Sequence, residues 1–403
     1  MRFSQRTNWN TEESALARAH RLRLEAALPL ADLTASNPTR CGFEYPPNLL
    51  QALTHRASLI YDPQPRGLLT ARQAVSRYYS DHGVQVDSEK IILTTSTSEA
   101  YSFLFRLLCD PGSEILFAQP GYPLFDFLAV LDDVHLKSAS LVYDHGWQID
   151  PESLHRAITP HTRAIVLVHP NNPTGHFTKP WEIREIASRC QEFDLSLIVD
   201  EVFLDYSFSG SPWAFANGLD GVPVFVVSGL SKIAGLPQMK AAWIVVTEQV
   251  VSGPVATGPE AEESLNRLEV IADTFLSMNA PVQCALPAWL GNRAAIQSQI
   301  SQRTAANLAE LDRQLAAVPE ATRLEVEAGW YAVVRIPALQ PDEHTVLELL
   351  ALGAWIQPGY FFGMPESGWL VISLLAPCTE FRSGATILVN YLRTHQAGKG
   401  NLE

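Results

Sequence analysis

The chain has 403 residues, of which 47% are apolar and 18% charged, and its formal net charge is -14 at pH 7. This length and apolar content predict a globular protein of two or three domains. The negative charge argues against a surface for nucleic acid or an anionic membrane, and no uninterrupted apolar run reaches the ~18 residues that a membrane span needs. We therefore expect neither nucleic acid nor a membrane as a partner.

The cysteines and the N-terminal residues indicate a cytoplasmic protein. Cys41, Cys109, Cys190, Cys284 and Cys378 lie far apart, form no CxxC pair and are odd in number. We therefore expect neither a disulfide framework nor a metal site, and reduced thiols fit the cytoplasm. The first 23 residues carry Arg, Glu and His throughout and have no apolar core, so they do not read as a signal peptide.

Helices and short strands alternate along the first two thirds of the chain. Residues 12–28 are predicted to form an amphipathic helix, and a stretch rich in Pro and Gly follows at 37–47. Further helices are predicted at 49–56, at 69–82, from 98 onward and at 260–278. Short apolar runs predict strands at 90–93, 114–118, 164–168, 196–199, 224–227 and 242–246. This alternation predicts an α/β fold with a largely parallel sheet covered by helices on both faces.

The last part of the chain predicts a smaller α+β domain. A turn with Gly and Pro at 253–258 precedes the helix at 260–278. The elements predicted beyond it are a helix at 285–315, strands near 324 and at 330–335, a helix at 343–352, a strand at 369–374 and a helix that ends near 394. We expect residues 1–47 to join the small domain, residues 48–280 to form the large domain and residues 281–403 to form the small C-terminal domain.

Lys232 is the first candidate for chemistry. It follows the predicted strand at 224–227, so it lies at the carboxyl end of a strand, where open α/β sheets place their ligands. A lysine held there among apolar neighbours has its ammonium pKa lowered by desolvation, which frees the amine to attack a carbonyl and form a Schiff base. A solvated loop lysine is the alternative.

Three other stretches follow predicted strands and could converge with Lys232. Residues 94–98 form a hydroxyl-rich turn at a helix start, which is either a phosphate site or an ordinary N-cap. Residues 171–175, Asn-Asn-Pro-Thr-Gly, have the composition of a turn. Asp200 ends an apolar strand and either caps the sheet or pairs with a buried cation. A carboxylate paired with a pyridinium nitrogen keeps that ring protonated and makes it an electron sink.

These motifs, in their order and spacing, resemble those of one enzyme family. They are Asn171-Asn172-Pro173-Thr174-Gly175, Asp200-Glu201, and Ser231-Lys232 with Gly235-Leu236-Pro237. The chain resembles the class I/II aminotransferases of fold type I, which use pyridoxal 5'-phosphate (PLP). The resemblance extends over nearly the whole chain, through Tyr61 with Gly67-Leu68-Leu69, Pro120-Gly121-Tyr122-Pro123, and Gln357-Pro358-Gly359-Tyr360-Phe361-Phe362-Gly363.

The resemblance implies a role for each residue around the cofactor ring. Lys232 would form the Schiff base with PLP and then move the proton between the substrate and the cofactor as general base and acid. Asp200 would pair with the pyridine nitrogen, and Asn172 would hydrogen-bond the phenolic oxygen. Tyr122 would stack on the ring face.

The resemblance also implies a phosphate site. Ser96, Thr97 and Ser98 would hold the phosphate at their helix start, and Tyr61 would reach the phosphate of a neighbouring subunit, which requires a homodimer. Lys240 stands where the family usually has an arginine on the phosphate. A lysine keeps the charge but lacks the fork that grips two oxygens, so we expect looser or shared phosphate binding.

Two further positions depart from the family pattern. Phe203 stands where the family often has a tyrosine that bonds the phenolic oxygen, so we expect a higher pKa for the Schiff base. Val371 stands where the family has the arginine that binds the substrate α-carboxylate. Either Arg40, Arg66 or Arg382 replaces it, or the substrate lacks an ordinary α-carboxylate. His169, beside the asparagine motif, either is a structural turn histidine or lines the site.

The resemblance implies a homodimeric PLP-dependent aminotransferase that moves an amino group from a donor to a 2-oxo acid by a ping-pong route. The alternative is a PLP-dependent lyase of the same fold, acting by β-elimination or C-S cleavage, because the cofactor's carbanion can partition either way. A PLP-linked regulator without catalysis is a third hypothesis. It predicts an additional DNA-binding domain, for which one aminotransferase-like unit leaves no room in 403 residues.

Overall fold

The computed structural model describes residues 1–210, 213–247 and 259–397, so the turn predicted at 253–258 lies outside the described residues. In the described part of the chain, the strands are β1 (Ala31–Asp32), β2 (Ile91–Thr94), β3 (Glu114–Gln119), β4 (His135–Tyr143), β5 (Trp147–Ile149), β6 (Thr162–Val168), β7 (Ser196–Asp200), β8 (Val224–Gly229), β9 (Ala242–Thr247), β10 (Thr322–Arg323), β11 (Tyr331–Arg335), β12 (Ala354–Trp355), β13 (Gln357–Pro358) and β14 (Trp369–Ser373). The helices there are α1 (Ala15–Glu25), α2 (Leu69–Asp81), α3 (Thr97–Leu108), α4 (Leu124–Leu131), α5 (Pro151–Ala157), α6 (Pro180–Phe193), α7 (Leu230–Ile233), α8 (Pro259–Phe275), α9 (Ala280–Gly291), α10 (Ala294–Leu315), α11 (Asp342–Leu352) and α12 (Cys378–Ala397).

The large sheet has the strand order β2-β9-β8-β7-β6-β3-β4-β5. The five strands from β8 to β4 in this order run parallel to one another. β9 is antiparallel to both β2 and β8, and β5 is antiparallel to β4. The sheet is therefore mixed and mostly parallel, which confirms the predicted α/β class. Because β6, β7 and β8 are parallel, their carboxyl ends meet at one edge of the sheet.

The central strands of this sheet are apolar on both faces. In β8, Val224 and Val226 belong to the core on one face, whereas Phe225 and Val227 belong to the core on the other. All four side chains are fully buried. Successive side chains of a strand point to opposite faces, so a strand covered on both sides needs an unbroken apolar run. Each such buried side chain contributes ~2 kcal/mol relative to exposure.

A smaller sheet with the order β10-β11-β14-β13 lies in the C-terminal part of the chain, and its strand pairs are all antiparallel. The N-terminal segment joins this part, since β1 pairs in parallel with β12. Leu16 and Leu33 share a buried core with Val334 and Ile372 of the small sheet. This packing fits the expected small α+β domain. Trp289 of α9 packs instead into the core of the large sheet, and the boundaries at 47 and 280 stay predictions.

The structure corrects two local predictions and adds one strand that was not predicted. The helix predicted at 285–315 is two helices: α9 ends at Gly291 with Asn292 as its C-cap, and the Asn292 side-chain amide donates to the carbonyl oxygen of Ala288 at 2.9 Å. The segment at 49–56 forms short 3-10 turns rather than an α-helix. The sequence does not predict β4, since most of its side chains are exposed and it lacks an apolar run. Of the helices described, none is long and apolar enough to cross a membrane.

Candidate active site

One cavity lies where the carboxyl ends of β6, β7 and β8 meet the start of α3. Its volume is about 430 Å³, and Lys232, Asp200, Asn172 and Ser96 all line it. Asp200 is the last residue of β7, Asn172 follows β6, and Lys232 lies in α7 directly after β8. The convergence predicted from four separate stretches of sequence is therefore present in the fold.

Lys232 faces this cavity between two aromatic rings. Its Nζ lies 4.8 Å from the ring centroid of Trp330 and 5.6 Å from that of Phe203. Burial lowers the pKa of Lys232 to about 8, although the nearby Asp200 carboxylate opposes the shift. Tyr206 donates a hydrogen bond to the carbonyl oxygen of Lys232 at 2.6 Å and so fixes its backbone. The neutral amine of a lysine is the form that acts as a nucleophile and a base, and a lowered pKa increases the fraction of the side chain in that form.

Asp200 is a buried carboxylate that lines the cavity. Only 8% of its surface is exposed. One oxygen accepts the N-H of Val202 at 3.0 Å, and the other accepts the hydroxyl of Tyr101 at 3.1 Å. Burial raises the pKa of Asp200 to about 6, and these hydrogen bonds and Lys232 oppose the shift. Since burial still disfavours the ionised carboxylate despite Lys232, a positively charged group of a ligand beside Asp200 would be favourable.

Asn172 has unused hydrogen-bonding capacity. Its side chain lines the cavity, is 8% exposed, and its buried Oδ1 meets no partner in the part of the chain that the structure describes. The neighbouring Asn171 instead holds the turn, since its Oδ1 accepts the hydroxyl of Thr174 at 2.8 Å and its carbonyl accepts the N-H of Gly175 at 2.8 Å. The two asparagines therefore have different tasks, one structural and one directed to the cavity.

The hydroxyl-rich turn is both a helix cap and a wall of the cavity. Ser96 is the N-cap of α3, because its side-chain oxygen accepts the N-H of Glu99 at 3.1 Å. Ser96, Thr97 and Ser98 line the cavity together with the exposed Lys240. Backbone N-H groups at a helix start, with hydroxyls and a cation beside them, suit a phosphate.

The structure separates the two predicted tyrosines. Tyr122, which is 44% exposed, lines the cavity of Lys232. Tyr61 does not line that cavity; it is 83% exposed and lines another of about 300 Å³ with Leu68 and Gln283. Within one chain Tyr61 is thus apart from the other candidate residues, and its contact with a neighbouring subunit stays a prediction.

None of the three arginines considered as carboxylate ligands lines the cavity. Arg66 pairs with Glu269 at 2.6 Å, and Arg382 lies 3.4 Å from Glu310. Arg40 is exposed at the end of a 3-10 turn. Within one chain, Arg66 and Arg382 thus pair with carboxylates away from the cavity, and binding of the substrate carboxylate by Arg40, Arg66 or Arg382 stays a prediction. Val371 is fully buried.

His169 is a structural histidine. It is 1% exposed, its Nε2 lies 3.0 Å from the carbonyl oxygen of Trp213, and its Nδ1 accepts the N-H of Thr178 at 3.2 Å. The ring therefore carries its proton on Nε2, and burial lowers its pKa to about 4. Across residues 1–210, 213–247 and 259–397, no group of three or more His, Cys, Asp or Glu side chains could hold a metal ion.

Two side chains have positions at the site that the sequence does not predict: Trp330 beside Lys232, and Gln357 in the wall of the cavity. Trp330 is fully buried and approaches Lys232 from the segment before β11, almost a hundred positions along the chain. Gln357 lines the cavity from β13, a strand of only two residues. An apolar residue before a strand and a polar residue in a short segment carry no pattern of their own, so only the folded chain reveals them.

A family model and several known proteins match this chain. The model described as "Aminotransferase class I and II" matches residues 44–382. The alanine aminotransferase of Mycobacterium tuberculosis is 27% identical over 402 residues, which cover 94% of this chain and 89% of that protein. The S-alkyl-thiohydroximate lyase SUR1 of Arabidopsis thaliana is 28% identical over 226 residues, which cover 56% of this chain and 48% of that protein. The chain spans about half the length of the plant relatives that it matches.

Among solved structures, an alanine aminotransferase from Pyrococcus furiosus superimposes with a TM-score of 0.87 and 22% sequence identity. The match covers 98% of this chain and 100% of that one. At this level of identity the likeness shows the fold, which is fold type I, and the large and small sheets described above are consistent with it.

Proposed function

Because the chain belongs to the aminotransferase class I and II family, we propose that it is a PLP-dependent aminotransferase. It moves an amino group from an amino donor to a 2-oxo acid, and Lys232 holds the cofactor covalently. The observation that carries the proposal is the position of Lys232 and Asp200 on one cavity, with the pKa of the lysine lowered and that of the carboxylate raised by burial. Perturbed pairs of this kind concentrate at catalytic sites.

The residues around the cavity fit PLP. The buried Asp200 carboxylate would meet the protonated pyridine nitrogen, and the side-chain NH2 of Asn172, which lines the cavity, would donate to the phenolic oxygen. Ser96, Thr97 and Ser98 would hold the phosphate at the start of α3, and Lys240 would add charge. Tyr122 would cover one face of the ring. When bound, PLP supplies an electron sink for the substrate carbon.

Lys232 supplies the acid and base chemistry. Its Nζ would take the proton from the substrate carbon that carries the amine and pass it to the cofactor, and it would carry a proton the opposite way in the return half-reaction. Phe203 and Trp330 flank Nζ with apolar surface, which excludes water and keeps the pKa of the lysine near the working pH. Tyr206 holds the backbone of Lys232, so that the side chain moves while its anchor stays in place.

A half-reaction experiment tests this function. The purified protein is loaded with PLP and mixed with single amino donors, and the absorbance of the cofactor is followed. We expect conversion to the amine form by a donor and reversal by a 2-oxo acid. Lys232→Ala should lose the conversion by at least ~10³-fold, whereas Lys137→Ala, at an exposed lysine of β4, should keep it. Release of ammonia and a 2-oxo acid from one substrate would instead identify the lyase.

The proposal includes a cytoplasmic homodimer. A surface segment with Leu59, Ile60 and Tyr61 exposed by 88%, 64% and 83% supports an interface there. Tyr61 would then reach the phosphate of the neighbouring subunit. Five free cysteines support a reducing compartment. Sedimentation equilibrium checks the assembly, and a monomer at micromolar concentration with PLP bound would contradict it.

A further inference from the structure

We propose that the cavity recognises an uncharged group of its amino donor through Gln357, in place of an α-carboxylate held by an arginine. This inference rests on the proposed function and names its substrate class. The donor carries a carboxamide or a hydroxymethyl group on the carbon that bears the amine.

The register of the small sheet places Gln357 beside the position of the missing arginine. Gln357 lies directly opposite Val371 in the antiparallel pair of β13 and β14, and Val333 of β11 lies opposite Val371 on its other side. Residues directly opposite each other in an antiparallel pair point to the same face of the sheet. Tyr331, two residues before Val333, points to that face too, and both Tyr331 and Gln357 line the cavity of Lys232.

Among the described residues of one chain, the cavity offers no guanidinium for a carboxylate. The cations that line it, among the described residues, are Lys232 and Lys240, and both have roles toward the cofactor. Arg335 of β11, the strand that pairs with β14, has other partners. Its guanidinium stacks on Trp369 at 4.3 Å and donates to the carbonyl oxygen of Ser367 at 2.7 Å. A carboxylate bound near Gln357 would thus be desolvated without a dedicated cation.

Gln357 has an oxygen that requires a donor. Its Oε1 is buried and meets no hydrogen-bond partner within the described residues. A buried acceptor without a donor is unfavourable, so a ligand that brings an N-H or O-H is favoured there. A carboxylate has acceptors only and cannot supply that proton, whereas a carboxamide or a hydroxyl both donates and accepts. The amide of Gln357 therefore matches such a group better than it matches a carboxylate, which satisfies only the N-H of the amide.

The same amide affects the return half-reaction. The 2-oxo acid enters the same cavity, and its carboxylate meets the amide N-H of Gln357 but leaves Oε1 without a donor. We therefore expect a KM for the oxo acid that exceeds the KM for the donor by ~10-fold or more, because a site built to accept a proton rejects a group that lacks one.

The test compares donors that differ only in the group at issue. The PLP-loaded protein is mixed with L-alaninamide, L-alaninol or L-alanine, and the single-turnover conversion of the cofactor gives kcat/KM for each. We expect the amide or the alcohol to exceed alanine by ~10-fold or more. Gln357→Leu should reduce this preference to within ~3-fold, and Val371→Arg should shift it toward alanine. The absorbance of bound PLP and the Tm show whether each variant is folded.

A second readout does not depend on turnover. Propionamide and propionate lack an amine, so calorimetric titration of the PLP-loaded protein measures their binding without reaction. Tighter binding of propionamide, lost in Gln357→Leu, supports the inference. Tighter binding of propionate, or a preference for alanine in the wild-type protein, overturns the inference and leaves the proposed function intact. Failure of every donor in a broader screen to convert the cofactor overturns the proposed function instead.

Discussion

The ring of Phe203 flanks the amine of Lys232. It is 3% exposed, lines the cavity and lies 5.6 Å from Nζ of Lys232. A phenylalanine offers only an apolar face, whereas the tyrosine that the family often has at this position would offer a hydroxyl. The two side chains have nearly the same volume, so the exchange tests one hydrogen bond with little change in packing.

Phe203→Tyr is expected to lower the midpoint of the pH titration of bound PLP. The new hydroxyl donates to the anionic ring oxygen of the cofactor and stabilises the deprotonated form. A hydrogen bond to a charged group contributes ~1.5–3 kcal/mol, and one pH unit corresponds to ~1.4 kcal/mol, so the shift should be ~1–2 units. The absorbance of the bound cofactor as a function of pH measures it.

The control for this prediction is Phe193→Tyr, which adds the same hydroxyl at a partly exposed position of α6, 39% exposed. It should leave the midpoint where the wild-type protein has it. Equal midpoints for all three proteins would show that position 203 does not reach the ring oxygen.

At the scale of elements, the start of α3 serves the helix and the cavity at once. Ser96→Ala removes the side-chain oxygen that accepts the N-H of Glu99, so it should cost ~1 kcal/mol of stability. It also removes a hydroxyl from the cavity, so the Kd for PLP should rise by ~10-fold. Thermal unfolding and a fluorescence titration with PLP measure the two effects.

Ser14→Ala provides the matched control, since Ser14 caps α1 by accepting the N-H of Ala17 at 3.1 Å and does not line the cavity. The two variants should lose similar stability, and only Ser96→Ala should bind PLP more weakly. If Ser96→Ala binds PLP as well as Ser14→Ala does, the turn is a cap and nothing more.

The positions of residues relative to strands explain which site residues could be predicted from the sequence. Lys232, Asp200 and Asn172 each follow an apolar strand, so the strand pattern alone places them at one edge of a parallel sheet. Gln357 and Trp330 were out of reach, because their positions depend on the pairing of a two-residue strand and on packing between distant segments. Lys240 lines the cavity, but its role at the phosphate stays a prediction.

At the scale of the whole molecule, buried acids beneath the cavity should make stability depend on pH. Glu201 follows Asp200 and is fully buried; its Oε1 accepts the N-H of Phe215 at 2.5 Å, and its Oε2 meets no partner in the chain as described. Burial raises the pKa of Glu201 to about 8, and the hydrogen bond from Phe215 opposes the shift. The folded protein therefore binds a proton that the unfolded chain, with an ordinary glutamate, has already released.

The sign of the effect follows from that proton. Below about pH 4 both states are protonated and the group contributes no difference. As the pH rises toward 8 the unfolded chain ionises first, so the free energy of unfolding falls across this range, by an amount on the order of 4 kcal/mol. Asp200, with its pKa raised to about 6, adds a similar decline at lower pH. When PLP is bound, its protonated pyridine nitrogen beside Asp200 should reduce the part of this decline that comes from Asp200.

Glu201→Gln should therefore be more stable than the wild-type protein at pH 8 and similar to it at pH 5. A glutamine keeps the acceptor for Phe215 and never ionises, so the stability gained should grow steadily with pH. Thermal unfolding of the PLP-free proteins at pH 5, 6.5 and 8 measures this, with the exposed Glu12→Gln as control. Parallel Tm curves for Glu201→Gln and the wild-type protein would mean that Glu201 is ionised in the fold. A cation or water inside the core would then have to satisfy Oε2.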